Sequence, residues 1–360
     1  MYLCNQNALK PEPIMRKFLL CIVCLLTASC LQSFGQTKAE IIKEIRQLYA
    51  EAKKKVDLNG KNGNSPKDMR IVLNRVEDED IPLYDMVRLD FYFEQYPSED
   101  GVVTKPPYFI VEDWGNHGHL RYREVLLNPK SHKVIFCYTR GETDAGFVLE
   151  SRCYYDAEGR CIEEKTSSPN SWYSPASEKE TAETYLKIFD MTMNRGGNNI
   201  QDANMPKKET APKAERLKHI RTLYAQAKDQ SAANDKKDMS DDLHITIHDL
   251  GDDQPPRTIE TRIYFDKAGI YFINSHSTSM QFNAYNEYLF EPKTQDLIFS
   301  YTRAAEEGEV YEWRYYFDEN SDCIETKTNS PDNADESISD KRHAKYYQSL
   351  YQEISDKLGS

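Results

Sequence analysis

The sequence predicts an α+β fold: two tandem copies of one domain, each an antiparallel meander of about six or seven strands flanked by an N-terminal and a C-terminal helix. Three observations predict it. Several segments recur in the same order along the chain, apolar residues at helical spacing open and close each recurring stretch, and short β-branched and aromatic runs lie between them. Tight turns join these runs, so there is no room for crossover helices and a parallel sheet is excluded.

The internal repeat is the clearest of these observations. Its best-matched segment pairs are 48–53 with 223–228, 136–140 with 299–303, and 161–166 with 323–328. The pairs are colinear over most of the chain, which chance does not produce. A repeat of this length indicates a duplicated domain rather than a solenoid unit of about 20–50 residues.

Domain boundaries follow from the repeat. Residues 1–35 are an over-extended start plus a signal peptide, 37–193 the first copy, 194–211 a polar linker, and 212–360 the second copy. The linker is rich in Gly and Asn and lacks apolar periodicity. A flexible linker of its length spans roughly 20–25 Å. The two domains are therefore expected to be able to pack together or to move apart.

Helices are predicted at both ends of each copy. In the first copy, Thr37 and Glu40 match a Ser/Thr-x-x-Glu capping box, and an apolar stripe at 3–4 spacing follows them. Ser177 and Glu180 match a second capping box before the closing helix. The second copy has apolar stripes at the corresponding places, which predicts the same pair of helices there.

Strands are predicted throughout the segment between these helices. In the first copy the β-branched and aromatic runs are 70–74, 87–93, 108–111, 122–127, 134–138, 147–155 and 162–166. Turn signals such as Asn128-Pro129-Lys130 separate them. Because the turns are short, each strand is expected to pair antiparallel with the next one along the chain.

Residues 15–35 have the three parts of a signal peptide. Two basic residues follow Met15, residues 18–28 are apolar but too few to span a bilayer, and small residues precede Gln36. Met15 is therefore the expected translation start and Gln36 the expected first residue of the mature protein. This predicts export to the periplasm or to the extracellular face of a bacterium.

A lipid anchor is the alternative fate of the same segment. Residues 27–29 are small and precede Cys30, as in a degenerate lipoprotein signal in which that cysteine is acylated. Beyond this region no stretch approaches the roughly 20 apolar residues of a transmembrane helix. The mature chain is therefore expected to have no transmembrane segment.

The charge of the chain limits its partners. Its formal net charge is −13 and its pI is about 5.2. An acidic surface repels phosphate backbones and gains nothing from counterion release, which argues against nucleic acid as a partner. The remaining partner classes are a protein or a glycan.

Two cysteines flank one predicted hairpin in the first copy. Cys153 and Cys161 are candidates for a disulfide because an exported protein is in an oxidising compartment. However, a three-residue loop would place Cys161 opposite Tyr155 and diagonal to Cys153, at roughly 7–8 Å between Cβ atoms. That distance is long for a relaxed disulfide, so buried thiols are the preferred interpretation.

Candidate ligand contacts come from loop residues that only the first copy has. They are Trp114, His117, His119, Trp172 and Tyr173, and the second copy has small, polar or differently shaped residues at the matching places. Large aromatic side chains in loops are enriched at contact surfaces. The His-x-His pair could also bind a metal, although a structurally idle pair is the favoured interpretation. The sequence predicts neither a metal site nor a cofactor.

The strand that ends Tyr-Thr-Arg in both copies places Arg140 and Arg303 at equivalent positions. A structural ion pair with a neighbouring strand is the expected role of both arginines. Acidic residues are numerous enough that a carboxylate pair suited to glycoside hydrolysis remains an alternative.

Three functional hypotheses remain. The favoured one is an exported, non-enzymatic binding protein of the bacterial periplasm or cell surface, because no catalytic residues are predicted. The others are a secreted hydrolase using paired carboxylates, and an inhibitor or immunity-type partner of another secreted protein. The two-copy plan resembles that of exported interaction proteins such as the β-lactamase inhibitory protein, although none of that family's motifs occurs here.

Overall fold

The computed structural model describes residues 36–61, 66–76, 84–98, 101–116, 119–142, 146–167, 174–193, 210–236, 241–250, 256–279, 282–306, 308–330 and 337–358. The chain separates into two compact units, residues 1–46 and residues 47–360. The sheet and the packing described below belong to the second unit.

Four helices occur in these residues: α1 (Lys38–Leu58), α2 (Pro175–Met193), α3 (Lys213–Asn234) and α4 (Ser337–Leu358). The strands before α3 are β1 (Asp68–Val76), β2 (Tyr84–Tyr92), β3 (Gln95–Ser98), β4 (Gly101–Thr104), β5 (Phe109–Asn116), β6 (His119–Leu127), β7 (Val134–Glu142), β8 (Val148–Tyr155) and β9 (Cys161–Thr166). Those after it are β10 (Asp242–Leu250), β11 (Pro256–Asp266), β12 (Gly269–Ser279), β13 (Phe282–Phe290), β14 (Leu297–Glu306), β15 (Glu309–Phe317) and β16 (Cys323–Thr328).

The predicted α+β class with an antiparallel sheet is confirmed. Fourteen strands form one sheet in the order β16-β15-β14-β13-β12-β11-β10-β1-β2-β5-β6-β7-β8-β9. Strands β3 and β4 form a separate hairpin, which the sequence analysis did not predict. We call β1–β9 with α1 and α2 the first half, and β10–β16 with α3 and α4 the second half.

The structure differs from the predicted pair of separate sheets. Strand β1 pairs antiparallel with β10, and the register places Ile71 opposite Ile245 at the centre of this seam. The first strand of each half therefore has a partner on both sides. An unpaired edge leaves backbone N–H and C=O groups without hydrogen bonds, and the seam removes two such edges. Local sequence patterns reveal a strand but not its distant partner.

The two faces of the sheet are covered by different helices. Face A carries the apolar side chains of Ile71, Leu89 and Ile245, and face B carries polar ones such as Arg70 and His244, because successive residues of a strand point to opposite sides. Helices α2 and α4 pack on face A within one continuous apolar core. Helix α3 packs on face B over a smaller core.

Helices α2 and α4 also contact each other on face A. Lys187 forms an ion pair with Glu353 at 2.8 Å, and the Tyr346 hydroxyl donates to the carbonyl of Thr192 at 3.1 Å. The C-terminal helices of the two halves therefore lie side by side across the seam. On face B, the ring centroids of Tyr49 of α1 and Phe136 of the sheet are 5.1 Å apart, so this part of α1 covers the first half.

The helix starts were predicted with mixed success. Thr37 and Glu40 do form the predicted capping box, with the Thr37 N–H donating to the Glu40 carboxylate at 2.8 Å. The second box is wrong, since the cap of α2 is Ser174, whose Oγ accepts from the N–H of Ser177 at 3.1 Å. Pro175 fixes the first helical position and so moves the start three residues earlier than predicted.

The two outer strands of the sheet, β9 and β16, share the pattern Cys-Ile-Glu-x-Lys-Thr. Glu163 and Lys165 are ion-paired at 3.0 Å on β9, and Glu325 and Lys327 at 3.3 Å on β16. None of the described helices is both long and apolar enough to cross a membrane.

Candidate functional site

A buried glutamate on face B, Glu124 of β6, accepts three side-chain hydrogen bonds. The Tyr49 hydroxyl and the Lys53 ammonium group reach it from α1, the latter at 2.7 Å, and the Tyr122 hydroxyl reaches it from its own strand at 2.5 Å. Tyr49 and Lys53 are one helical turn apart, so both point at the same spot on the sheet. Because Glu124 is only 3% exposed, these donors replace the water that its carboxylate loses on burial.

The second half contains the same arrangement around Glu287 of β13. The Tyr224 hydroxyl and the Lys228 ammonium group reach this carboxylate from α3, the latter at 2.7 Å. The Tyr285 hydroxyl donates to it at 2.6 Å from the same strand. Glu287 is 2% exposed, so the two glutamates match in burial as well as in their partners.

A second hydrogen-bonded group lies next to each buried glutamate. The Tyr138 hydroxyl donates to Glu150 at 2.9 Å, and the Arg152 guanidinium donates to the same carboxylate at 3.1 Å. That guanidinium also lies 5.1 Å from the centroid of the Tyr138 ring, within the range of a cation–π contact. In the second half, the Tyr301 hydroxyl and the Arg314 guanidinium each donate to Glu312 at 2.8 Å. The Arg314 guanidinium lies 5.0 Å from the centroid of the Tyr301 ring.

We call each of these sets a tyrosine surface. The first comprises Tyr49, Lys53, Tyr122, Glu124, Tyr138, Glu150 and Arg152; the second comprises Tyr224, Lys228, Tyr285, Glu287, Tyr301, Glu312 and Arg314. Corresponding members have the same residue type at every position. The cross-strand pairing also agrees, since Glu124 lies opposite Tyr138 and Glu287 lies opposite Tyr301. The two halves therefore build one constellation twice.

The tyrosines of these surfaces are hydrogen-bond donors rather than bases. Burial, followed by the hydrogen bond to Glu124, raises the pKa of Tyr49 and Tyr122 above the ordinary tyrosine value. Burial and Glu287 raise the pKa of Tyr224 and Tyr285 in the same way. Their hydroxyls stay protonated at neutral pH, and donors occupy three of the roughly four acceptor positions of each buried carboxylate.

Arg140 and Arg303 lie at the end of each tyrosine surface. Neither guanidinium forms an ion pair with any side chain in the described ranges, and both are exposed. Their cross-strand neighbours are the tyrosines at 122 and 285, respectively. On the other side they lie opposite Glu150 and Glu312, and the hydrogen bond from Tyr301 lowers the pKa of Glu312, which the charge of Arg303 helps to lower further. The expected pairing with a neighbouring strand stays a prediction, and each surface ends in a solvent-exposed arginine.

A cavity lies beside each tyrosine surface. In the second half it measures about 270 Å³ and is bordered by Tyr224, Tyr301 and Arg314. In the first half it measures about 420 Å³ and includes Tyr138 and Arg140. Both cavities open to solvent, so a ligand group can reach the tyrosines from outside.

Face A differs between the halves, in contrast to face B. In the first half, Arg123 is buried and pairs with Glu112 at 2.6 Å and with Glu178 of α2 at 2.9 Å. It also donates to the Tyr185 hydroxyl at 2.9 Å. At the corresponding places the second half has the smaller or uncharged residues Asn286, Ser275 and Asp340. The two halves are therefore alike in the tyrosine surfaces of face B and unlike in the polar interior of face A.

The structure describes few of the residues predicted to contact a ligand. Trp114 lies on β5, partly buried, with the Arg121 guanidinium carbon 4.4 Å from its ring centroid. His119 begins β6, but its side chain is outside the described part of the chain. Residues His117, Trp172 and Tyr173 also lie outside the described residues. Their predicted grouping stays a prediction.

The cysteines of the predicted hairpin have the expected register. Cys161 lies opposite Tyr155, and Cys153 lies opposite Glu164 and Cys137 on its two sides. Cys153 and Cys161 are both thiols in the structure. Cys153 is buried, whereas Cys161 is exposed, so the expectation of buried thiols is wrong for Cys161. Burial raises the pKa of Cys153 to about 11, so it is a protonated, unreactive thiol at neutral pH.

The tyrosine surfaces were missed because strand tyrosines are normally read as core residues. The useful signal was identity between the copies: Tyr-Ala-x-Ala-Lys recurs in the opening helices, and Tyr-Thr-Arg in β7 and β14. The predicted loop residues Trp172 and Tyr173, by contrast, are ones in which the two copies differ. Among the residues that the structure describes, no group of three or more histidine, cysteine or acidic side chains is placed to hold a metal.

Comparisons of the chain with family models, with curated proteins and with solved structures found no significant match.

Proposed function

We propose that this chain is an exported, non-enzymatic binding protein of the bacterial periplasm or cell surface, built from two copies of one α+β module. Each module presents a tyrosine surface on face B as its binding site. The observation that carries the proposal is the recurrence of the whole constellation, residue for residue and contact for contact, in both halves. Folding alone does not require such identity, because the polar interior of face A has diverged.

Binding accounts for the chemistry of the surfaces better than catalysis does. A catalytic acid or base needs an ionisable group with a pKa near the working pH and access to substrate. Here the buried carboxylates are closed off from solvent and accept three hydrogen bonds each, and the pKa values of the tyrosines are raised away from neutrality. What remains partly exposed is a row of tyrosine rings and arginines, with Glu150 and Glu312 ion-paired among them. Tyrosine and arginine are the side chains most often enriched at recognition surfaces.

Duplication of one module explains the matching topology. Each half runs helix, seven sheet strands in meander order, helix, and the two halves meet through their first strands. The signal sequence at 15–35 supports export, with Gln36 as the first residue of the mature protein or Cys30 as the site of a lipid anchor. Intact-mass measurement of the exported protein distinguishes these two products.

The binding test compares tyrosines inside and outside the surfaces. Envelope glycans and proteins are screened with the mature protein and with a double variant, Tyr138→Ala with Tyr301→Ala. The double variant is expected to lose binding while keeping its circular dichroism spectrum. Tyr96→Ala is the matched control, because Tyr96 is a 43% exposed tyrosine on the separate β3–β4 hairpin. Unchanged binding by the double variant, or cleavage of the bound ligand, would contradict the proposal.

The loop residues predicted from the sequence are a second proposed contact region, present only in the first half. These are Trp114, His117, His119, Trp172 and Tyr173. They would let the first half distinguish ligands that the shared surfaces do not.

A further inference from the structure

The cavity beside the second tyrosine surface is sized and lined for one small chemical group. Its volume of about 270 Å³ is just below the roughly 300–1,000 Å³ of pockets that enclose a drug-sized ligand. Phe299 and Ile220 form its buried apolar base. Above this base, two arginines lie over tyrosine rings: Arg314 over Tyr301 at 5.0 Å, and Arg221 over Tyr316 at 6.0 Å.

Two features of the electrostatics favour an anion in this cavity. No carboxylate is among its lining residues, although both guanidinium groups are partly exposed to it, Arg221 at 56% and Arg314 at 40%. The nearest acid to Arg221 is Glu325, at 3.9 Å, and that acid is shared with Lys213 at 3.6 Å and Lys327 at 3.3 Å.

The surroundings of this cavity are thus a local excess of positive charge on a protein of net charge −13. Arg221 and Arg314 line the cavity. Five cations (Lys213, Arg221, Lys228, Arg314, Lys327) share three carboxylates (Glu287, Glu312, Glu325) in the ion pairs of this region. A guanidinium group fits a carboxylate through two parallel N–H···O bonds. Arg314 already donates from one terminal nitrogen to Glu312 at 2.8 Å, so its other N–H groups are the donors that a ligand carboxylate could use.

The rings of the cavity indicate what carries the carboxylate. Tyrosine and phenylalanine rings offer flat apolar area, and tyrosine hydroxyls add hydrogen bonds at its edge. A sugar ring has the complementary character, with C–H groups on its faces and hydroxyls around its rim. An acidic sugar therefore satisfies the arginines and the rings together, whereas an acidic peptide side chain has a flexible chain in place of the ring.

The first half repeats the stacked arginine and the ring pairs of the second. Arg152 lies over Tyr138, and the ring pairs Tyr49–Phe136 and Phe136–Tyr154 have centroid separations of 5.1 and 5.0 Å. The corresponding separations in the second half are 4.9 and 5.0 Å. The cavity of the first half differs in charge, because Asp113 and Glu142 line it together with Arg121 and Arg140. The electrostatic argument for an anion therefore applies to the second half.

We propose that the second tyrosine surface, with the cavity beside it, binds a carboxylated sugar of an acidic polysaccharide. This inference rests on the proposed binding function and names its ligand class.

The experiment measures binding of polygalacturonate to the mature protein by isothermal titration calorimetry. Neutral dextran and poly-L-glutamate are the comparison polymers, since they lack the carboxylate and the sugar ring, respectively. Polygalacturonate is expected to bind, and the two comparison polymers to bind at least tenfold more weakly. Equal binding of dextran would overturn the role of the carboxylate. Equal or tighter binding of poly-L-glutamate would overturn the sugar and assign an acidic peptide.

Variants locate the site. Arg314→Gln is expected to weaken binding about tenfold or more, because a charged hydrogen bond is lost. Arg314→Lys keeps the charge but not the planar pair of donors, and its affinity is expected to lie between those of the wild-type protein and Arg314→Gln. Arg342→Gln is the matched control, an equal loss of charge at an exposed position of α4. Equal weakening by Arg314→Gln and Arg342→Gln would refute the site.

The proposed function and this inference fail separately. If no acidic polysaccharide binds, the ligand class is wrong, while the binding function still stands or falls with the Tyr138→Ala, Tyr301→Ala screen.

Discussion

Arg123 is the side chain whose removal should damage the first half most, because it compensates two buried carboxylates. Its own side chain is 3% exposed and those of Glu112 and Glu178 are each 1% exposed. Arg123→Met keeps the apolar length of the side chain and removes its charge. The two glutamates are then left buried without their main partner, a change that typically costs about 3–5 kcal/mol.

The assay is urea unfolding at pH 7, followed by far-ultraviolet circular dichroism. The expected result is a fall in the free energy of unfolding of about 3–5 kcal/mol. A second variant, Arg123→Met with Glu112→Gln and Glu178→Gln, removes all three charges together. It is expected to be more stable than the single variant, because no uncompensated buried charge remains.

The pH dependence gives an independent check on the cause. Burial disfavours ionisation of Glu112, but Arg123 and Arg121 outweigh burial and hold its pKa below the ordinary value. In the wild-type protein, ionised Glu112 therefore contributes to folding stability above its unfolded-state pKa of about 4.3, and this contribution is lost as the pH falls through its lower pKa in the folded state. Without Arg123, burial raises the same pKa. The stability gap between variant and wild type should therefore shrink from pH 7 towards pH 4.

Two results would refute this reasoning. One is a single variant within about 1 kcal/mol of wild type at pH 7, which would mean that water or a rearranged partner compensates the glutamates. The other is a triple variant less stable than the single one, which would show that hydrogen bonds and packing, rather than charge, dominate the network.

Three further predictions concern the seam, the isolated second half and a loop tryptophan. The hydrogen bond to Asp68 raises the pKa of His248 across the seam, so the contribution of this pair to folding stability is full below about pH 6.5 and is lost as the pH rises through the pKa of the folded state. In a profile of stability against pH, His248→Gln should remove this dependence, which is worth less than about 1 kcal/mol. Residues 212–360 expressed alone should fold and dimerise through the uncovered β10. A molar mass from light scattering equal to that of the monomer would contradict this. Trp172→Ala should leave the melting temperature nearly unchanged yet weaken ligand binding by about 2 kcal/mol or more, whereas a large loss of stability would mark Trp172 as a core residue.

Local pattern was sufficient for most elements of the fold. Short aromatic and β-branched runs with tight turns gave the meander, and hairpin geometry gave the register that places Cys161 opposite Tyr155. The β3–β4 hairpin was missed because Pro97 and Gly101 interrupt the expected alternation. The seam was missed because β1 and β10 are far apart in sequence and nothing in either strand specifies its partner.

The candidate site was harder to predict for a related reason. A strand tyrosine such as Tyr138 is equally compatible with a core and with a half-exposed surface, and the outcome depends on which helix covers which face. Helices α2 and α4 fill face A, whereas α3 covers only part of the second half of face B. The partial cover leaves tyrosine rings open to solvent, and this arrangement of helices is a tertiary property.

The seam joins the first strand of one half to the first strand of the other, with Ile71 opposite its counterpart Ile245. Such a head-to-head junction is isologous, like the interface of a two-fold dimer, and it closes on itself. A third copy of the module would find no first strand left to pair with, and would meet only the charged Glu-x-Lys edges of β9 and β16. The one junction therefore uses both first strands, and within the described strands the sheet can be extended only at β9 and β16.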